Sequence, residues 1–375
     1  MTTRQKITRR TVLKSTLSLG ASLLAAPAFV RSAFSSSGEL NVMMWPDYLS
    51  NNLIGDFMEA TGIKVNLTEV ASNTSILEKV QKTEGAFDLI CPTHNQYTAW
   101  QSAELLQPFD LAKVQTENLI KPFVDFADSA WNFDDAGMHW LPLVWGAEAM
   151  AWRTDKWKPE GGQASYADLW SAENQGYAMG RAFSLMTAAG LVLEQEGSID
   201  NGAVWAGYND EEAMRKTWRV ITDWCLERKG ALHSLWRNAE DQVAGLKGDV
   251  SVAQTWDGTA FGLKSTGQPV IFKAPKEGAL VWSDGLAMPK SAVNLEQAYA
   301  FMSFISEKTH AAGAMADHGY NSAVMGASEL GPEDQAANFT EAYTSDDLDN
   351  LQIWPATSDW YKTARGEFVK EFSVA

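Results

Sequence analysis

The sequence predicts an α/β protein of two lobes, each a mostly parallel sheet flanked by helices. Three observations carry that expectation. The chain has 375 residues, and at roughly 150 residues per domain that length suggests two domains. From residue 39 onward, short apolar runs of strand type alternate with amphipathic helical stretches, the order that builds parallel sheets with right-handed crossovers. No Pro- or Ser-rich linker divides the chain, so it is expected to cross between its lobes several times. A hydrophobic content of 45% with 16 Trp is enough for large cores and excludes a disordered chain.

The N-terminus reads as a leader. Residues 1–38 carry Arg4, Lys6, Arg9, Arg10, Lys14 and Arg31 and no acid. Thr8-Arg9-Arg10-Thr11-Val12-Leu13-Lys14 has the form of a twin-arginine export motif, with Val where Phe is usual. A modest apolar stretch, Leu17 to Val30, is too short and too rich in small residues to span a membrane. Residues 1–33 are therefore expected to be a processed signal. Taking the six leader cations out of a net charge of −17 leaves −23, which excludes a basic nucleic-acid-binding face.

Glu39 to Trp45 reads as a buried strand running into Pro46-Asp47-Tyr48. Ser50 caps a helix with Leu53, Ile54, Phe57 and Met58 at helical spacing, closed by Gly62. Ile63–Val70 reads as a second strand, and Ser75 to Glu78 as a capping box opening a helix that runs to Gly85. Phe87–Cys91 is a third strand, followed by Pro92-Thr93-His94-Asn95. Ligands of parallel sheets sit past the carboxyl ends of the strands, so Trp45 to Tyr48 and Pro92 to Asn95 fall on one candidate edge.

Trp140 to Trp152 reads as strands leading out of the first lobe. A short helix capped by Ser165, a strand within Tyr177–Phe183 and a helix over Leu185–Gln195 follow. Asn209 to Glu212 opens a long helix to Arg228, whose stripe of Ala213, Trp218, Ile221, Trp224 and Cys225 is expected in the core. Asn238–Leu246 is a further helix. Beyond Lys290 the chain reads as helical, with Asn294 capping a helix that buries Ala298, Phe301, Met302 and Ile305, a second helix from His310 to His318, and a last one from Ser358 to Phe372.

The stretch Val250–Lys290 holds two apolar strands, each ending in a Trp near an Asp: Trp256-Asp257 and Trp282-Ser283-Asp284. Indoles beside carboxylates suit an organic cation. Each ring face supplies roughly 0.5–2 kcal/mol of cation–π attraction, and a carboxylate supplies a charge-assisted hydrogen bond. The same residues also suit core positions and helix caps.

Catalytic signatures are missing. The sequence has no phosphate-binding lysine loop, no G-x-G-x-x-G, no G-x-S-x-G and no H-E-x-x-H. The five histidines show no metal-ligand spacing, and His310 and His318 read as solvated helix positions. Asp134-Asp135 and Asp346-Asp347 read as solvated turns. Cys91 and Cys225 allow one bridge but do not imply it. No enzyme activity, cofactor or metal is expected.

Taken together, Trp45-Pro46-Asp47-Tyr48, Phe87 to Thr93, Leu143-Val144-Trp145-Gly146, Gln254 to Thr259, Pro275-Lys276-Glu277-Gly278 and Trp282 to Pro289 resemble the periplasmic substrate-binding proteins of ABC importers, in the polyamine (spermidine/putrescine) group. The landmarks spread over nearly all of residues 39–330. The resemblance implies a two-lobed periplasmic binding protein fold, type II-like, with the ligand clamped in the cleft. It implies a first lobe beginning at 39–143, a second lobe over 144–282, a return to the first over 283–340, and a C-terminal helical segment over 341–375. It implies stacking by Trp45, Tyr48, Trp256 and Trp282, an amine-binding carboxylate at Asp284, and Asp47, Thr93 and Tyr320 along the cleft. Trp145 at the first crossover and Asp257 beside Trp256 complete the set, although Asp257 also suits a cap for the helix that follows.

One stretch departs from the pattern. Relatives carry acid at the start of a second-lobe helix, where this chain reads Gly180-Arg181-Ala182-Phe183. A diamine needs a carboxylate at each end, because an unpaired buried ammonium is unfavourable. Arg181 at one end and Asp284 at the other would instead suit a zwitterionic ω-amino acid, and a quaternary amine is the other variant. The expectation is a periplasmic, monomeric receptor that hands a polyamine or similar organic amine to an ABC transporter permease, meeting the membrane only through that partner. An exported α/β hydrolase is the contrasting reading, and no motif supports it.

Overall fold

The computed structural model describes residues 38–375, so the twin-arginine leader lies outside the described residues. Twelve strands form one continuous mixed sheet: β1 (Glu39–Met44), β2 (Lys64–Glu69), β3 (Leu89–Ile90), β4 (Leu106–Gln107), β5 (Trp140–Arg153), β6 (Ala178–Gly180), β7 (Leu232–Leu235), β8 (Val252–Trp256), β9 (Val270–Lys273), β10 (Leu280–Pro289), β11 (Asn321–Ser322) and β12 (Gln352–Ile353). Its main path runs β2-β1-β3-β10-β5-β8-β6-β7. The expected parallel units are present at both ends, β2-β1-β3 and β8-β6-β7. They are joined through antiparallel pairing of β3, β10, β5 and β8.

Local chemistry sets the helices as the sequence predicts. Ser50 caps the helix Asn51–Thr61 by accepting from the Leu53 N–H, and Gly62 ends it with φ 75°. Asp210 caps Glu211–Arg228, and Asn238 caps Ala239–Lys247. The helix Leu295–Ile305 buries Ala298, Phe301, Met302 and Ile305. One start differs. The cap of the helix Asn73–Lys82 is Ser72, three residues before the predicted Ser75, and its hydroxyl accepts from the Ser75 N–H.

Two buried apolar clusters pack against the sheet. One gathers Val42, Leu89, Phe57, Phe301 and Trp131 around β1, β3 and their helices. The other gathers Leu185, Val192, Trp218, Ile221 and Tyr361 from helices of the second lobe and the C-terminus. Cys91 and Cys225 are free and buried, one in each cluster, so they do not pair.

The chain between the lobes is strand rather than linker. The predicted boundaries at 143/144 and 282/283 fall inside β5 and β10, which pair along eight rungs from Leu280↔Glu148 to Ala287↔Trp140. The register shifts between Asp284 and Gly285, where Pro142 on β5 can donate no ladder hydrogen bond. The C-terminal segment is not wholly helical. Its β12 pairs with β10 at Leu280 and Val281 before the helix Asp359–Val374 begins. Among the described residues, no helix is long and apolar enough to cross a membrane.

Candidate functional site: a cleft over the shared strands

Side chains on paired antiparallel residues share a face. On β5 and β10 this puts Gly146 with Trp282 and Val144 with Asp284, while Glu148 pairs with Trp256 of β8. One face of the shared strands therefore carries Asp284, Trp282, Trp256 and Glu148. Gly146 is required there, since a Cβ at that position would stand 2.6 Å from the Trp282 indole. The glycine lets the ring lie flat on the strand.

A cavity of about 260 Å³ opens on this face, lined by Trp256, Trp282, Thr93, Glu148 and Arg181. His94, Phe183, Trp354 and Arg365 also line it. Adjoining it is a second cluster, linked through Trp282 and through the bridge between Thr93 and Asp284. There the Tyr48 hydroxyl donates to Asp284 Oδ2 at 2.6 Å. The Tyr320 ring meets Tyr48 edge-on at 5.3 Å and Trp282 at 5.6 Å.

Asp284 is 5% exposed, and its Oδ1 has no hydrogen-bond partner. Burial pushes its pKa up to about 6, against the neighbouring Thr93 and Tyr48 hydroxyls that pull it down. An unpartnered oxygen on a buried carboxylate is unfavourable unless something cationic completes it.

Arg181 faces the cleft. Its guanidinium forms an ion pair with Glu148 Oε2 and lies over the rings of Phe183 at 4.3 Å and Trp236 at 5.1 Å. Glu148 is 2% exposed, and its Oε1 has no hydrogen-bond partner. Burial raises the Glu148 pKa despite the charge of Arg181 and the nearby Ser184 hydroxyl and Trp256 indole.

The remaining predicted residues divide. Trp45 is half-buried with its indole N–H tied to the Cys91 carbonyl at 2.8 Å, and Asp47 is exposed at the strand end with φ 67°. Trp145 is not a cleft residue. It falls one position from Gly146, so strand alternation turns it to the other face. It is fully buried there among Phe123, Phe339 and Tyr343, donating to the Ser322 carbonyl at 2.9 Å.

Asp257 is committed to structure. Its Oδ2 accepts from the Ala147 N–H at 3.1 Å and the Asn321 amide at 2.8 Å, and its Oδ1 from the Gly258 N–H at 2.8 Å. It ties β5 and β11 to the start of the helix Asp257–Ser265. Burial lifts its pKa to about 6.

The histidines also differ from expectation. His318 is half-buried beside Tyr48 and Tyr320, and burial lowers its pKa to about 4. His310 stacks on Phe304 at 3.6 Å. His94 is buried, and burial pushes its pKa down to about 4, so it is neutral at pH 7. Nδ1 accepts from the Ser283 N–H at 3.1 Å, which leaves Nε2 to donate to the Trp354 carbonyl at 2.8 Å. His94 thereby straps the C-terminal segment across the cleft. Among the described residues, no group of His, Cys, Asp and Glu is arranged to hold a metal ion.

The sequence reading missed Glu148, Phe183, Trp354 and Arg365. Glu148 had a readable signal: it is the only charge between Trp140 and Trp152, and a charge inside a buried strand must have a partner. Trp354 and Arg365 had none, because they reach the site from the far end of the chain.

The shared strands and the aromatic–carboxylate cleft over them have counterparts among known ligand receptors. The chain belongs to the family of bacterial extracellular solute-binding proteins, which matches residues 52–348. It is 27% identical over 267 residues to the spermidine/putrescine-binding periplasmic protein of Escherichia coli, covering 70% of each chain. It is 24% identical over 281 residues to the putrescine-binding periplasmic protein of the same organism, covering 71% and 72%. Its fold matches the spermidine/putrescine ABC transporter substrate-binding protein of Streptococcus pneumoniae with a TM-score of 0.70 at 20% identity, covering 90% of this chain and 98% of that one.

Proposed function

We propose that this protein is the receptor of an ABC importer for a polyamine such as putrescine or spermidine, or a similar organic amine. The observation that carries the proposal is Asp284. A carboxylate buried among Tyr48, Trp282 and Tyr320 keeps one oxygen without a donor. An ammonium would satisfy that oxygen while the indole and phenol rings supply cation–π attraction. The polyamine-binding names of its relatives in Escherichia coli point the same way.

The mechanism follows from two lobes on shared strands. A ligand that touches both gives the closed arrangement contacts the open one lacks, and so shifts the population toward closure. The closed form would then dock on the permease. The periplasm, reached through the twin-arginine leader, is the compartment this reading requires, with the protein acting as a monomer.

The zwitterionic alternative loses its motive. Its anion was to meet Arg181, whose charge is already engaged by Glu148. Titration calorimetry of the leaderless protein with putrescine, cadaverine and spermidine tests the proposal. Micromolar or tighter binding of at least one is expected, and no binding to any of them would overturn it.

A further inference from the structure

A dication is best held by a carboxylate at each end, and the helix start at Ala182 presents Arg181 to the cleft rather than an acid. The cleft contains another acid. Glu148 lies on the same face of the shared strands as Asp284. Its rung on β5 is four residues from Val144, the partner of Asp284. At about 3.3 Å per residue the two positions are roughly 13 Å apart along the strand. Both carboxylates are almost wholly buried, and each has one oxygen without a hydrogen-bond partner. Between their rungs lies the Gly146–Trp282 pair, an indole surface along which an alkyl chain could run.

The surroundings of Glu148 are those of an ammonium site, and a cation already occupies it. The Arg181 guanidinium sits against the carboxylate under Phe183 and Trp236, with Trp256 at 5.9 Å. Its side chain keeps 29% of its surface exposed, against 2% for Glu148. It can therefore swing toward solvent without opening the core, whereas Glu148 cannot move away from the cleft.

We propose that Glu148 is the carboxylate that receives the second cationic centre of a diamine, and that Arg181, paired with it here, is an internal rival for that place. This rests on the amine-receptor reading above. In the empty protein the guanidinium spares Glu148 the penalty of an unpaired buried charge. When a diamine enters with one ammonium at Asp284, the other competes with Arg181 for Glu148. Arg181 thus sets how strongly the receptor prefers two charges over one, and it weakens diamine binding by the work of its own displacement. It is a specificity-determining residue with no ligand contact of its own in the bound state.

The test is titration calorimetry with putrescine, 1-aminobutane and 4-aminobutyrate on wild type, Arg181→Gln and Glu148→Gln, with folding of each checked by circular dichroism. Gln at 181 keeps a donor for Glu148 and removes the competing charge. The expected result is that Arg181→Gln raises the ratio of putrescine to 1-aminobutane affinity by about tenfold or more, and that Glu148→Gln lowers it by a similar factor. If Glu148→Gln fails to fold, the Arg181→Gln ratio alone decides. A ratio unchanged or lowered in Arg181→Gln overturns the inference. So does tighter wild-type binding of 4-aminobutyrate than of putrescine that is lost in Arg181→Gln, which would make Arg181 an anion anchor. Absence of any amine binding to wild type and variants alike overturns the amine-receptor reading itself, and this inference with it.

Discussion

At the residue scale, the burial of Asp284 sets opposite pH dependences for binding and for folding. Its folded pKa is raised to about 6, and an amine needs it ionised. Affinity should therefore hold above pH 6 and fall by about tenfold per unit below it, measured by calorimetric titration between pH 7.5 and 5. The ligand-free protein should respond the other way. Asp284 and Asp257 both carry raised values in the folded state, so the fold binds protons more readily than the unfolded chain between pH 6 and about 4. The penalty of burying these carboxylates as anions is relieved as pH falls through 6. The contribution of these two groups to the melting temperature without ligand should rise across that window. The tryptophans divide in the same physical terms. Trp282→Ala should cost roughly 1–3 kcal/mol of amine affinity with the fold retained. Trp145→Ala, which empties a fully buried site, should cost about 3–5 kcal/mol of stability in denaturant titrations. Equal melting temperatures for the two variants would contradict this division.

At the element scale, the paired strands β5 and β10 decide what faces the ligand. The register shift at Asp284 and Gly285 ends the run of rungs that carries Trp282 and Asp284 toward the cleft. Gly285 is held there by close approach, since a Cβ would lie 2.3 Å from the Leu141 carbonyl oxygen and 2.4 Å from the Trp140 indole. Backbone cannot yield as a flexible side chain can, so Gly285→Ala should destabilise the protein by roughly 1–3 kcal/mol and loosen Asp284 beside it. Denaturant midpoints check the first effect and amine affinity the second. The sequence showed these strands as apolar runs and named Trp282 and Asp284 on them. It could not show register, which depends on pairing between residues about 140 positions apart. Trp145 was misjudged for that reason, because its place beside Gly146 in the chain says nothing about which face it takes until the partner strand is known. Arg181 is the converse case. Its position at a helix start was legible, but its engagement by Glu148 was not, because the two residues come from different elements.

At the scale of the whole molecule, the alternation of strands and helices was enough to give the α/β class and the parallel units, and the resemblance to binding proteins supplied the two-lobed fold. The closing strap from β12 to Arg365 was not legible, since its local chemistry reads only as an end to the chain. The joining of the lobes was also hidden, and it governs how the protein comes apart. Eight rungs of β5 and β10 belong to a single ladder spanning both apolar clusters. Melting either cluster strips hydrogen-bond partners from strands that the other needs, so neither half can be lost alone at small expense. Calorimetry should show one transition, with the van't Hoff and calorimetric enthalpies in agreement, rather than two. Receptors joined by loose connections can fray half by half, giving proteases a partly open chain to cut. Here the shared ladder makes unfolding all-or-none, so resistance to proteolysis follows the stability of the whole chain.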